Sequence, residues 1–223
     1  MTGSPLTSEK SSLSIVSMKF IIQLLVLFGL STSLIGCQSA LKASRKSGEG
    51  HFRARALIKD KSKAKSFIVN LSFNVQKSQA LRLDATSPLN QHLASFLITS
   101  KELSYFIVPE KVYYQGKPSA QSFARFMAVP LEPSWLENIL FREAFESKDW
   151  SCTKESSGEL ESCINLREKL NIKWSIGNDK KLIVDIDHPK GQIQMNFHRI
   201  QPKVESGVNM SQLKTPKDFK KLR

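Results

Sequence analysis

Hydrophobic and polar residues alternate along most of the chain after residue 50. Successive side chains of a β-strand point to opposite faces, so this alternation predicts strands with one buried and one solvated face. The clearest stretch is 67–76, where phenylalanine, valine and leucine alternate with asparagine, serine and glutamine. Similar stretches predict strands at 80–85, 92–99, 102–108, 111–115, 148–153, 160–166, 172–176, 181–187 and 192–200.

The pattern changes between these two groups of strands, after the Gly-Lys-Pro step at 116–118. Ser119 is suited to cap a helix, and Pro133 is suited to the first turn of a second one. Each helix would have one apolar stripe. The stripes comprise Phe123, Phe126 and Met127 in the first helix and Trp135, Leu136, Ile139 and Leu140 in the second.

About ten strands with one apolar face form a sheet that curls rather than stays open. We therefore predict an α+β fold in which a single curled antiparallel sheet forms an open half-barrel, with the short helices as a lid over its hydrophobic interior. This domain spans 51–201, and 202–223 is a basic, poorly periodic C-terminal tail. Side chains could fill the interior, or a hydrophobic cavity could remain there.

The N-terminus reads as a secretory signal. Lys19 precedes an apolar run over 20–30, which is shorter than the ~20 residues that span a bilayer as a helix. The run leads to Leu-Ile-Gly-Cys at 34–37, which resembles the lipobox of bacterial lipoproteins. Residues 1–36 are then a cleaved signal, with the true start expected at Met18, and Cys37 is the acylated N-terminus.

Acylation at Cys37 determines the compartment. Gln38 follows it instead of the aspartate that retains lipoproteins at the inner membrane of enteric bacteria, so we expect a lipid-anchored protein on the periplasmic face of the outer membrane. Residues 37–50 are polar, basic and rich in Gly and Ser, which predicts a flexible tether.

The chain is basic, with 33 Lys and Arg against 20 Asp and Glu, a formal net charge of +13. An exported protein rarely meets nucleic acid, so none is expected as a partner. Anionic lipid or another envelope protein is the expected counter-surface. A solvated basic surface without a specific partner is an equal alternative.

Two cysteines, Cys152 and Cys163, flank a polar turn that contains a glycine. In an oxidising compartment such a pair predicts a cross-strand disulfide, which contributes roughly 3 kcal/mol for a loop of about a dozen residues. The four histidines lie far from this pair and from one another in sequence, so no metal site is predicted.

Two segments resemble LolB, the family of outer-membrane receptors for lipoproteins. Residues 82–94, Arg-Leu-Asp-Ala-Thr-Ser-Pro-Leu-Asn-Gln-His-Leu-Ala, are similar to its strand, Pro-Leu-Gly turn and strand. Residues 126–140 are similar to the segment between its helices, where a Pro-Leu step leads into a helix with Leu, Trp and Leu. The resemblance covers 52–140, with weaker agreement to the C-terminus.

This resemblance implies a half-barrel with a helical lid over a cavity that receives acyl chains. The partners it implies are acylated lipoproteins or another lipid ligand, and a periplasmic LolA-like carrier. It also implies that the turn Pro88-Leu89-Asn90 inserts into the membrane. Asn90 replaces the family's usual glycine, although asparagine tolerates positive φ better than most residues.

Leu89 stands out without the resemblance, because a tight turn gives no folding reason for an apolar residue at its tip. The alternative is a leucine folded back onto the barrel rim.

The apolar stripe of the sheet has two interpretations, an ordinary core or the wall of an acyl-binding cavity. Its candidate residues are Phe67, Val69, Leu71, Phe73, Leu81, Leu83, Tyr105, Ile107, Trp135, Trp174 and Ile176. A cavity would indicate a LolB-like receptor or a related lipoprotein that binds another hydrophobic ligand. A filled barrel would indicate a structural component of an envelope assembly.

Catalysis is not expected. The sequence has no Gly-x-Ser-x-Gly elbow, no glycine-rich phosphate loop and no His-Glu-x-x-His motif. No cofactor is predicted.

Overall fold

The computed structural model describes residues 37–123 and 127–222, without the side chains of Cys37 and Gln38. The predicted signal at 1–36, the start at Met18 and the helical residue Phe126 lie outside the described residues. Three helices are described, α1 (Cys37–Ser47), α2 (Ala120–Phe123) and α3 (Trp135–Phe141). The strands are β1 (Glu49–Asp60), β2 (Lys65–Gln76), β3 (Ala80–Thr86), β4 (His92–Thr99), β5 (Leu103–Ile107), β6 (Val112–Gly116), β7 (Trp150–Lys154), β8 (Leu160–Asn165), β9 (Leu170–Ile176), β10 (Leu182–His188), β11 (Gly191–Gln201) and β12 (Lys220–Lys221).

All twelve strands belong to one curled, open sheet, which confirms the predicted fold class. Two antiparallel meanders, β1 to β6 and β7 to β11, meet where β1 pairs with β11. The short β12 pairs with β6 in parallel. The alternation found in the sequence therefore corresponds to strands that pair mainly with their chain neighbours.

The antiparallel order gives the sheet two distinct ends. The turns 61–64, 87–91, 108–111, 166–169 and 189–190 lie at one end, which we call the tip end. The turns 77–79, 100–102, 155–159 and 177–181 lie at the other, the α1 end, where α1 leads into β1. The tip end therefore consists of five turns, and the α1 end consists of four turns and the helix α1.

One face of the sheet, the concave face, carries the hydrophobic core. The segment between β6 and β7 crosses this face and contains the two predicted helices, α2 and α3, but Met127, which was predicted for the stripe of the first helix, lies in a bend after it. Ser119 caps α2, because its Oγ accepts the Ser122 N–H at 3.1 Å. The helix α2 is short, and buried side chains of the following residues 127–131 continue the cover.

The predicted tether at 37–50 is wrong, because residues 37–47 form α1. Leu41 is buried in the core, and the Ser44 hydroxyl donates to the backbone carbonyl of Gln201 at 3.3 Å. A basic, serine-rich segment thus becomes a helix through contacts with β11, which is remote in sequence. No helix within 37–123 and 127–222 is long and apolar enough to cross a membrane.

The C-terminal segment 202–222 packs on the convex face of the sheet. The Asn74 Oδ1 accepts the Glu205 N–H at 2.8 Å, and Phe219 meets Phe106 edge to face with ring centroids 5.8 Å apart. The segment has little regular structure, as its sequence predicts, but it is attached along the sheet.

A disulfide joins Cys152 and Cys163, as predicted. The two residues are directly paired in the β7–β8 hairpin. This hairpin forms one edge of the sheet, and the disulfide links its two strands covalently.

Candidate functional site

The concave face is the candidate functional site, and most of the predicted cavity residues are buried on it. Water reaches almost none of their surface, so neighbouring side chains fill the space in front of them. Those with 0–2% exposure are Val69, Leu71, Phe73, Leu81, Leu83, Tyr105 and Trp174, and Ile107 is 9% exposed.

Three predicted cavity residues are not part of this buried layer. Phe67 is 43% exposed, since it lies near the tip end, two residues after β2 begins. Ile176 is 37% exposed because it is the last residue of β9, at the α1 end. Trp135 is half-buried and packs edge to face against Trp150, with ring centroids 5.0 Å apart. The predicted stripe of cavity residues therefore extends further toward both ends of the sheet than the buried layer does.

Residues 127–131, which we call the strap, cover the concave face next to the tip end. Met127, Val129 and Leu131 are buried in the core. Ala128 lies against Gly191, where a Cβ would stand 2.6 Å from the Ala128 carbonyl oxygen. Gly191 thus allows the strap to approach the sheet more closely than any other residue would.

Helix α3 is fixed to the sheet by the indole of Trp174, whose Nε1 donates to the Ile139 carbonyl at 3.0 Å. Arg142 also holds the end of this helix. It ends α3 in the left-handed conformation, with φ 55°, and is only 3% exposed. Its guanidinium donates to the Leu160 carbonyl and, at 2.5 Å, to Glu155 Oε1. A buried arginine thus links the lid to the disulfide-bonded hairpin.

Arg45 adds a second link at the α1 end. Its guanidinium donates to the Phe141 carbonyl and, at 2.6 Å, to Glu159 Oε2. The hydrogen bond and charge of Arg45 hold the pKa of Glu159 below its usual range. Helix α1, the end of α3 and the β7–β8 turn are therefore joined by polar contacts at one place.

A cleft of about 250 Å³ opens at the edge of the lid. It lies between the start of α3 and the turns 77–79 and 100–102, and Leu81 and Ile98 form its apolar floor. Small-molecule sites usually measure about 300–1,000 Å³. The cleft is therefore too small to be a complete site for a long chain.

Glu137 stands on α3 at this cleft, and its Oε2 accepts the Ser78 N–H at 3.1 Å. Burial raises the pKa of Glu137, an effect opposed by that hydrogen bond and by Lys77 and reinforced by Glu143. The ionised carboxylate therefore costs folding free energy that the protonated form does not.

We expect Glu137→Gln to raise the unfolding temperature at pH 7. The folded-state pKa is raised, so the cost of ionisation is present above it and disappears as the pH falls below the ordinary value of 4.5. The mutant and the wild type should therefore converge at pH 4 in thermal unfolding. Glu110→Gln, at an exposed turn, is the control and should leave the unfolding temperature unchanged both at pH 7 and at pH 4. A mutant less stable than the wild type at pH 7 would contradict this prediction.

The Pro88-Leu89-Asn90 turn places Leu89 in solvent, with 82% of its surface exposed. Ser87 organises the turn, because its Oγ accepts the N–H groups of Leu89 and Gln91, each at 3.2 Å. Asn90 has φ 60°, as expected for the residue that replaces glycine. Leu89 is therefore not folded back onto the rim, and membrane insertion of the turn stays a prediction.

The convex face brings a serine and a histidine together. His51 Nε2 is 3.0 Å from Ser72 Oγ, and its Nδ1 is 3.2 Å from the amide oxygen of Gln201. Burial lowers the pKa of His51, with Glu205 acting in the opposite direction. A nucleophilic triad usually has a carboxylate at the second histidine nitrogen, and an amide occupies that place here.

Sequence reasoning missed Arg45, Arg142, Glu137 and the exposed Leu166. Of these four residues, only Leu166 could have been recognised in the sequence, because it is an apolar residue in a polar turn. The strand predicted at 160–166 included it, but β8 ends at Asn165. The thiol of Cys37 lies outside the described side chains, so its acylation stays a prediction.

No family model matches the chain, and no curated protein sequence matches it. Its backbone is similar to that of a LolA superfamily protein from Nitrosomonas europaea, with a TM-score of 0.45 and 7% identity over 75% of this chain and 93% of the other. An outer membrane lipoprotein-sorting protein domain from Vibrio parahaemolyticus gives a TM-score of 0.42 and 9% identity, over 77% of this chain and 94% of the other. A DUF1329 family protein from Desulfovibrio piger gives 0.41 and 7%, also over 77% and 94%. These similarities concern the course of the backbone alone.

Proposed function

We propose that the protein is a lipid-anchored lipoprotein of the outer membrane, on its periplasmic face, that binds acyl chains of other lipoproteins and helps to insert them into that membrane. The observation that supports the proposal is the way in which the concave face is covered. Its apolar residues are covered by the chain at 117–123 and 127–148 and by α1, rather than by a second sheet. Such a cover can move without breaking the strand pairing of the domain.

The free energies of burying apolar groups favour a movement of the strap alone. Exposing a sixteen-carbon chain to water costs about 12 kcal/mol at ~0.8 kcal/mol per CH₂. Exposing the three buried strap side chains, Met127, Val129 and Leu131, would cost roughly 5–9 kcal/mol at ~1.5–3 kcal/mol each. One acyl chain can therefore replace the strap, whereas displacing the buried side chains of α3 as well would raise the cost to roughly 10–21 kcal/mol, about as much as the chain contributes or more.

The proposed role is binding rather than catalysis, with no cofactor. Its partners would be acylated lipoproteins and a periplasmic LolA-like carrier, with the membrane as the final acceptor. A related lipoprotein that binds another hydrophobic ligand would use the same face, so the identity of the ligand must come from material purified from the native membrane.

A second candidate is a structural or interaction component of an envelope assembly. The observation that favours it is the filled interior, since the buried residues of the concave face leave water almost no access. In this case the strap would remain in place and no acyl chain would enter.

A photoreactive palmitate analogue distinguishes the two candidates. We expect it to cross-link to the strap or the concave face, and we expect Phe73→Leu to weaken the cross-link with a stability loss below about 1.5 kcal/mol. Phe106→Leu makes the same change on the convex face and should cross-link as the wild type does. A wild type that gives no cross-link would favour the structural role.

The lipid anchor is tested separately through Cys37. Metabolic labelling with a palmitate analogue should label the wild type, and Cys37→Ala should remain an unlabelled precursor or be shed from the membrane. The disulfide removes the other two cysteines from consideration as acylation points. An unlabelled wild type would exclude the anchor.

A further inference from the structure

The exposed apolar side chains of the protein concentrate at the tip end. Among the residues that the structure describes, six large hydrophobic residues are exposed. Only Ile176 lies at the α1 end. The other five lie in or beside the turns of the tip end, and they are Phe67, Ile68, Leu89, Ile164 and Leu166.

Leu166 repeats, on the second meander, the situation of Leu89 on the first. It lies at the start of the β8–β9 turn and is 80% exposed. The turn is formed by other groups, because Asn165 Oδ1 accepts the Glu168 N–H at 3.0 Å and Lys169 takes φ 55°. The fold gives no reason for a leucine at this position.

Basic residues stand beside these apolar ones. Lys61, Lys63 and Lys65 surround the β1–β2 turn, next to Phe67 and Ile68. Arg167 follows Leu166 directly and Lys169 comes after Glu168; the Arg167 side chain is 75% exposed, and it lies 3.6 Å from Glu168 and 3.8 Å from Asp149. Acidic groups also occur here, since Lys61 pairs with Asp187 at 2.8 Å and Lys63 with Asp60 at 3.3 Å. These pairs lie at the surface, where water screens them.

We propose that Leu166 is a second membrane-inserting position, beside the Leu89 turn that is already expected to insert, and that the tip end docks on an anionic phospholipid bilayer with the lysines of the β1–β2 turn against the lipid phosphates. Apolar residues on separate tips, each flanked by cations or polar groups, suit a fluid surface better than a rigid protein partner, which needs a continuous patch. The inference rests on the proposed function for its purpose, because docking would bring the strap side of the concave face next to the membrane.

Depth measurements in vesicles test the docking. The acylated protein is reconstituted in phosphatidylethanolamine vesicles with and without phosphatidylglycerol, after labelling Leu166→Cys or Leu89→Cys with an environment-sensitive fluorophore. Because Cys152 and Cys163 are bonded to each other and acylation blocks the sulfur of Cys37, the introduced thiol is the one that reacts. Ile176→Cys, an exposed apolar position at the opposite end, is the matched control.

We expect blue-shifted emission and several-fold weaker quenching by aqueous acrylamide at 166 and 89 than at 176, in the vesicles that contain phosphatidylglycerol. Adding Lys63→Glu and Lys65→Glu, or raising the salt concentration, should reduce the difference. Equal quenching at 166 and 176 would overturn the proposal. So would equal insertion in both kinds of vesicle, because the charge argument would then fail.

Docking and acyl binding can fail independently in these experiments. Loss of palmitate cross-linking with normal insertion at 166 would remove the proposed function and leave the docking surface. Normal palmitate cross-linking, together with fluorophore emission at 166 typical of water, would remove the docking surface and leave the proposed function. The double lysine variant should retain palmitate cross-linking, since neither lysine lies on the buried concave face.

Discussion

Gly191→Ala is expected to loosen the strap and to lower the unfolding temperature. The new Cβ would lie 2.6 Å from the Ala128 carbonyl oxygen and 2.9 Å from that of Lys59. Both neighbours are backbone atoms, which cannot rotate away as a side chain can. Because Lys59 is held in the β1–β11 pairing, the strap is the part that must move. We expect a loss of about 1–3 kcal/mol, typical of an overpacked site, or roughly 2–12 °C.

The same substitution should make the concave face more accessible. If an acyl chain enters where the strap lies, Gly191→Ala should increase the initial rate of palmitate cross-linking while it lowers stability. Gly177→Ala is the matched control, because its Cβ would meet mainly the ends of the Ile183 and Asp179 side chains, at 3.1 and 3.2 Å. A Gly191→Ala protein with reduced stability and unchanged cross-linking would show that the strap does not control access.

The sheet was predictable because its information is local. Alternation over 67–76 needs only the neighbouring residues to be recognised, and each strand pairs largely with the next in the chain. The predicted strand limits agree with the structure to within about two residues, as at 80–85 and 92–99. The first strand was not bounded in advance, although the alternation after residue 50 indicated it.

Helix α1 could not be predicted, because its stabilisation comes from distant contacts. Among the side chains described from residue 39 to 47, the one large buried side chain is Leu41, too little for a recognisable apolar stripe. Ser44 and Arg45 bind the carbonyls of Gln201 and Phe141, which lie 157 and 96 residues away in the sequence. A segment of this composition is a tether in isolation and becomes a helix on the sheet.

The filling of the concave face was equally beyond the sequence. The period of two correctly assigns Leu71 and Phe73 to the inner face. Whether a cavity remains in front of them depends on the course of the strap, which Gly191 allows to lie against the sheet. That contact joins residues 128 and 191, and no local pattern encodes it.

Leu89→Glu is expected to leave folding and palmitate cross-linking near those of the wild type, and to slow release of a bound lipopeptide into liposomes about ten- to a hundredfold. Folding should persist because the hydrogen bonds of the turn come from Ser87 and the backbone, and the leucine side chain lies in solvent. Release should slow because the variant loses about 1.5–3 kcal/mol of apolar insertion. The anchor on Cys37 would retain the protein at the membrane in both cases.

A control for charge alone is available in the same turn. Gln91→Glu adds an equal charge at an exposed position and keeps the leucine, so release should stay within a fewfold of the wild-type rate. Transfer of a fluorescent diacyl-lipopeptide from the protein to liposomes measures all three proteins, with thermal unfolding run in parallel. If both variants slow release equally, electrostatic repulsion from the bilayer is the cause. If Leu89→Glu releases lipopeptide at the wild-type rate, the leucine has no role in insertion. If the variant loses stability and cross-linking together, Leu89 acts in folding rather than in the bilayer.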